Sequence, residues 1–191
     1  MDYREVIEQR RSIKSFDLDK TISEAELKEL FEEVILSPSS FNLQHWHFIA
    51  VTNPEQKSKL KDAAFGQPQV ESCSATIVVC GKLDAYKDVD SDRIQRFYEG
   101  KDQLIRDEAI RSASLAAMTL MYSAKNHGYD SGPMIGFNQE AVAELVNIPE
   151  NYIPVMLVVI GHIQDKPGPR GPRKPVAEVV KLNSFDGPGL T

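Results

Sequence analysis

The chain has 191 residues, 22 basic and 28 acidic, giving a net charge of −6. That length suits one compact domain. The acidic balance argues against nonspecific nucleic-acid binding, which draws on an excess of Lys and Arg, and leaves room for a local basic patch holding one small anion. No run is long and apolar enough to cross a bilayer, and Met1-Asp2-Tyr3-Arg4-Glu5 lacks the regions of a signal peptide. The expectation is a cytoplasmic protein whose mature form is the whole chain.

Residues 2–9 read as a short helix with Asp2 as N-cap and Tyr3, Val6 and Ile7 on one face. A second helix spans about 23–36: Ser23 and Glu26 form a capping box, and Leu27, Leu30, Phe31, Val34 and Ile35 share a stripe. It runs into Ser37-Pro38-Ser39-Ser40, which a helix does not easily cross. Trp46 to Thr52 reads as a strand, and Asn53-Pro54 starts a polar helix to about Ala64. Ala75 to Gly81 is a continuous apolar run, as for a strand covered on both faces. Cys73 and Cys80, the only cysteines, fit no zinc or redox spacing and are expected as reduced core thiols.

Residues 84–101 are charged without a firm period and read as a mobile surface excursion. Residues 102–127 predict the longest helix, whose second half is apolar nearly all round and so belongs at the centre of the domain or at a subunit interface. Gly128 ends it. A loop at 129–137 leads to a helix at about 139–147 capped by Asn138. Ile153 to Gly161 is the last buried strand. The Pro- and Gly-punctuated stretch from Pro167 to Pro175 cannot be helix, and residues 165–191 form an extended arm. Such an arm is costly to order alone; wrapping a second subunit, with Leu182 and Phe185 as docking residues, would explain it, and so would simple disorder. Helices around a small sheet give an α+β fold of one domain over 1–191.

Three segments cluster polar groups where packing does not ask for them. Arg10-Arg11-Ser12-Ile13-Lys14 offers two guanidiniums, an amine and a hydroxyl that can converge on a phosphate monoester; alone, a solvated basic turn explains it better. Ser37 to Trp46 carries Ser, Asn and Gln donors and acceptors just before a strand, and a plain cap-and-turn is an equal reading. Gly132-Pro133-Met134-Ile135-Gly136-Phe137 permits close backbone approach to a flat ligand, though a tight loop is the default. No dinucleotide fingerprint, P-loop, metal-ligand spacing or nucleophile elbow is present. His45, His47, His127 and His162 read as surface or strand residues.

Taken together and in order, these segments resemble the nitroreductase-like flavoprotein family. The R-x-S-x-[RK] element is matched by Arg10, Ser12 and Lys14. The [AS]-P-S-S-x-N-x-Q-P-W-x-F element is matched from Ser37 to Phe48, with His45 in place of the usual Pro. Further matches are Ser74 to Val79, Gly128-Tyr129, Pro133 to Phe137, Pro154 to Gly161 and Arg173 to Val179. The resemblance covers nearly the whole chain.

It implies a mostly antiparallel central sheet enclosed by helices, a homodimer that exchanges its C-terminal arms, and two FMN sites at the interface, with NADH or NADPH as donor. By resemblance, Arg10, Ser12 and Arg173 hold the FMN phosphate, with Arg11 extending the basic patch. Lys14 lies towards the ribityl chain and pyrimidine edge. Pro38, Ser39, Ser40 and Asn42 come from the other subunit, and Gln67 meets the pyrimidine ring. Pro133, Met134, Ile135 and Gly136 line the flavin face near N5. Two positions depart: Ile135 stands where some relatives are acidic, and Gly171 where some have a second basic residue, a role that Arg170 can take. The implied activity is two-electron transfer from NAD(P)H through FMN to a nitroaromatic, quinone or similar acceptor, with the chemistry belonging to the flavin. Alternatives are a dehalogenase-like member of the same fold and a non-catalytic flavin-binding protein.

Overall fold

The structure is a computed structural model that describes residues 1–191. Its N-terminal helices start where side chains supply the missing acceptors. Asp2 and Glu5 form a reciprocal capping box on α1 (Tyr3–Gln9), and Ser23 and Glu26 form another on α2 (Glu24–Val34). Asn53 accepts from the Gln56 amide at the start of α3 (Pro54–Ala63), with Pro54 at the first helical position. A short α4 (Gln69–Ser72) follows.

Four strands, β1 (Trp46–Val51), β2 (Ala75–Lys82), β3 (Asp130–Met134) and β4 (Tyr152–Gly161), form one sheet in the order β1-β2-β4-β3. Every pairing is antiparallel. The central strands β2 and β4 are apolar on both faces because helices cover both. Ala75, Ile77 and Val79 with Val158 and Ile160 face α2 and α6 (Asp102–Asn126), meeting Leu27, Leu30, Val34 and Leu120. Val78, Cys80, Leu157 and Val159 turn the other way, onto Leu60 of α3, Val70 of α4 and Val142 of α7 (Gln139–Leu145). Alternation at period 2 is thus preserved although the only polar residue inside the central run, Thr76, is itself buried.

The sheet-facing side of α6 is lined by small residues. Ala109, Ala113, Ala116, Ala117 and Ala124 are all fully buried, and a Cβ placed on Gly81 of β2 would sit 2.9 Å from the Ala109 carbonyl oxygen. Helix and sheet therefore meet almost backbone to backbone. Gly128, at φ +87°, ends the helix in the left-handed conformation that glycine adopts without strain. No helix is long and apolar enough to cross a membrane.

Several expectations need correction. The loop expected at 129–137 is β3 over Asp130–Met134: it bonds to β4 on one side and carries Gly and Pro because its other edge is nearly free. The excursion at 84–101 is not structureless. It holds a 3-10 turn at Ala85–Asp88 and α5 (Asp92–Tyr98), and its Ala85 and Tyr98 bury against Leu43 in a small core of their own. In α1 only Val6 of the expected apolar face is buried, while Tyr3 and Ile7 are exposed, as is Ile35 after α2. The C-terminal stretch is largely extended, interrupted by the one-turn α8 (Val176–Val179) and a Lys181–Gly189 bridge. Phe185 docks nowhere on its own chain, being 99% exposed.

Candidate functional site

The basic segment is held by the sheet. Leaving α1, the chain runs beside β3, where Ser12 pairs with Ser131 in a parallel bridge and the Ile13 amide donates to the Ser131 carbonyl at 3.0 Å. Ile13 is buried and anchors the segment, so Ser12 and Lys14 on either side face outward. The approach is close: a Cβ on Gly132 would lie 2.6 Å from the Ile13 carbonyl oxygen, so only glycine fits.

The C-terminal segment closes over the same corner. One Nη of Arg170 donates to the carbonyls of Glu8 and Arg10, both at 2.8 Å, satisfying acceptors left open at the end of α1. Arg11 donates to the Pro169 carbonyl at 3.2 Å. Arg173 donates to the Gly171 and Pro172 carbonyls. Arg10, Arg11, Lys14, Arg170 and Arg173 enter no ion pair with any carboxylate. Burial, then the Arg170 guanidinium, lowers the Arg10 pKa from its ordinary value, with smaller contributions from Arg173 and Arg11. A guanidinium stays charged regardless. The corner is therefore a set of like charges in a chain of net charge −6, a charge arrangement suited to a small anion.

Two clefts meet at Ser12, Ile13 and Lys14. One, about 320 Å³, continues towards Arg11, Asp165, Lys166 and Pro169. The other, about 180 Å³, is bounded by Gln67, Gln69, Gly132, Pro133 and Met134. Gln67 is committed within the chain: its amide donates to the Gly136 carbonyl at 2.7 Å and to the Ala64 carbonyl at 3.1 Å, and accepts from Gln69 at 3.0 Å. It fixes the 133–136 segment and has one acceptor lone pair left for a ligand. Sequence reasoning missed Gln69, which also reaches the Met134 sulfur at 3.9 Å. The Gln67-Pro68-Gln69 repeat before an apolar strand was the available signal. Ile135 is well exposed beside this cleft.

The polar loop at 37–45 stands elsewhere. Ser37 donates to the Val34 carbonyl and meets the Thr119 hydroxyl, tying the loop to α6. The Ser39 hydroxyl accepts from the Gln44 amide at 2.9 Å, and the Ser40 hydroxyl lies 3.0 Å from that of Tyr98. Phe41, Asn42 and Gln44 have φ of 51°, 57° and 49°. Three left-handed residues without a glycine among them mark a backbone held against its own preference. His45 is neither on the surface nor in a strand: it is 3% exposed, with Nδ1 lacking a partner. Burial lowers its pKa, opposed by Glu108.

These two halves do not meet within one chain. The 10–14 segment lies outside β3 and the 38–44 loop leads into β1, the strand at the opposite edge. Four strand spacings of about 4.8 Å separate them across the sheet, and they also lie towards opposite ends of the strands. Pro38, Ser39, Ser40 and Asn42 thus form one group, and Arg10, Arg11, Ser12, Lys14, Gln67, Pro133–Gly136, Arg170 and Arg173 the other.

An antiparallel four-stranded sheet between two helical layers, with an unpaired cationic corner at one edge, defines an α+β fold. Residues 7–162 match the Nitroreductase family. The Bacillus subtilis protein MhqN, provisionally named an NAD(P)H nitroreductase, is 40% identical over 202 residues, covering 94% of this chain and 98% of its own. The CLA biosynthesis enone reductase from Lactiplantibacillus plantarum is 30% identical over 190 residues, covering 87% of this chain and 88% of its own. A crystal structure of an Exiguobacterium sibiricum protein in complex with FMN superposes with a TM-score of 0.88 at 32% identity, covering 96% of this chain and 98% of that one. The chain belongs to the nitroreductase family.

Proposed function

We propose that this protein is an FMN-dependent NAD(P)H oxidoreductase that works as a homodimer. The observation that carries the reading is the cationic corner: Arg10, Arg11, Arg170 and Arg173 gather beside the Ser12 segment, and none of the four is ion-paired with a carboxylate. Its size suits one phosphate monoester, and forked guanidinium donors match phosphate oxygens. The residues fit FMN: beside the corner, a glycine-permitted close approach and the Gln67-pinned 133–136 backbone leave a narrow cleft towards which Lys14 extends. When bound, FMN supplies the hydride chemistry. The chain contributes phosphate binding through Arg10 and Ser12, a positive charge at Lys14 near where negative charge gathers on reduction, and edge backbone donors from Met134 to Gly136.

The homodimer follows from the separation of the two groups. One chain holds the 38–44 loop too far from its own cationic corner to share one mononucleotide, whereas a twofold axis brings each loop to the partner's corner. Exposed Val176, Val179, Leu182 and Phe185 on the C-terminal stretch offer the apolar surface for such an exchange.

The acceptor is a nitroaromatic, a quinone or a similar flat oxidant. A second reading, reduction of an activated C=C bond, is favoured by the likeness to the enone reductase. The test is chromatography of the chromophore released on denaturation, then anaerobic mixing with NADH and NADPH. Release of FMN and rapid bleaching support the reading; FAD, no flavin after reconstitution, or a flavin inert to both nucleotides refutes it. Reoxidation by a nitroarene, a quinone and an enone then separates the acceptor classes.

A further inference from the structure

We propose that Tyr98 is a positioning residue for the cofactor: by its hydroxyl and its ring it holds the 39–44 loop in the left-handed shape that the site uses. The inference rests on the reading that this loop meets FMN.

The loop does not hold itself. Its internal bonds are Asn42 N–H to the Ser39 carbonyl, Leu43 N–H to the Ser40 carbonyl, Gln44 N–H to the Ser39 hydroxyl and a long one from the Gln44 side-chain amide to the Asn42 carbonyl at 3.3 Å. These set against three non-glycine residues at positive φ, a conformation that persists only where the surroundings over-determine it. The surroundings here are the 84–101 excursion. Tyr98, the last residue of α5, is 1% exposed, and its hydroxyl meets Ser40 Oγ at 3.0 Å. A buried phenol needs such a partner. Its ring stands edge-on to Phe41 at 6.1 Å and stacks on Tyr86 at 5.3 Å, while Phe97 also meets Phe41 edge-on at 5.4 Å. Two of the three left-handed residues are thus flanked by groups that Tyr98 touches.

The brace is itself tied to the sheet. Lys82 at the end of β2 pairs with Asp88 and Asp84, and the Asn151 amide just before β4 donates to Asp84 at 3.0 Å. Leu43 packs with Ala85 and Tyr98 in one small core, with Leu104 and Ile105 of α6 against it. Sheet, excursion and loop form a continuous chain of contacts, with Tyr98 as the last link before the loop.

The test is Tyr98→Phe, which removes one oxygen and keeps the ring. Titration of the apoprotein with FMN should give a dissociation constant raised about 3- to 10-fold, the scale of one neutral hydrogen bond. Amide exchange in the apoprotein should quicken at residues 40–44 and not in β2 or β4, a localisation that general destabilisation would not give. Asn42→Ala is measured in parallel. If it weakens FMN while Tyr98→Phe stays within twofold of wild type, the positioning role is wrong and the cofactor reading stands. If both leave FMN binding unchanged, the loop is no part of the cofactor site. Should Tyr98→Phe not fold, Phe97→Ala changes a half-exposed ring instead; a rise of about 2- to 5-fold supports the brace, and an unchanged constant overturns it.

Discussion

Gly132→Ala would put a methyl carbon 2.6 Å from the Ile13 carbonyl oxygen and 3.1 Å from Val159 Cγ2. Ordinary contact starts at 3.4 Å, so the 12–14 segment must retreat from β3 by about 0.8 Å. The Ile13 amide, now 3.0 Å from the Ser131 carbonyl, would move out of hydrogen-bonding range. Losing that bond costs about 1 kcal/mol and relieving the overlap about 1–3 kcal/mol. Urea denaturation should therefore show stability lowered by about 2–4 kcal/mol. Arg10 and Ser12 ride on the same segment, so FMN affinity should fall about tenfold or more, each 1.4 kcal/mol being one decade. The two effects should appear together, in one variant, from one methyl group. A variant with the wild-type midpoint and FMN affinity would show that β3 does not set the position of the cationic corner.

Arg10→Ala should weaken FMN binding by roughly 1.5–3 kcal/mol, the scale of a charge-assisted hydrogen bond, as read by titration calorimetry; an unchanged affinity would remove Arg10 from the phosphate site. The Glu26 carboxyl, held near pKa 2 chiefly by the Ser23 hydroxyl and amide, lies below its ordinary 4.5, so its contribution is complete above that value and fades as pH falls through about 2. The thermal midpoint should drop over that window, and Glu26→Gln should flatten the slope; equal slopes would mean that the capping box does not couple to folding. Burial pushes the Cys80 thiol up to about 12 and also raises Cys73, so a thiol reagent at neutral pH should label both only as fast as the chain unfolds. Rapid labelling of the native protein would show a looser second core than described.

Much of this architecture was legible in the chain because local signals and burial agreed. The Ser23–Glu26 box, Asn53-Pro54, Gly128 and the two apolar runs each name an element boundary by its own chemistry, and each element is where they place it. β3 was not legible: Asp-Ser-Gly-Pro-Met has the composition of a turn, and it is a strand only because β4 supplies one full row of partners. α5 was hidden because a seven-residue helix with one fully buried side chain leaves no period to read. The candidate site residues and their division between two subunits came from the family resemblance; the distance between the two groups depends on strand order, which no local pattern encodes. His45 stood out only as a departure from a motif. It follows residues whose left-handed φ is not announced by glycine, so its burial could not be read locally.

The alanine stripe of α6 decides where this chain can vary. A helix that touches a sheet through methyl groups and a glycine has no spare rotamers to rearrange and no volume to yield. Any larger side chain at Ala109, Ala113, Ala116 or Ala117 would lever the helix off the sheet, and with it Thr119, which meets Ser37 at the base of the loop. Variation is thereby directed to the rim: to Ile135, to Phe41 and Phe97, and to the solvent side of α5, all exposed and all near a candidate half-site. The same framework can then present different rims by changing residues that bear no weight, while the slab beneath them stays fixed.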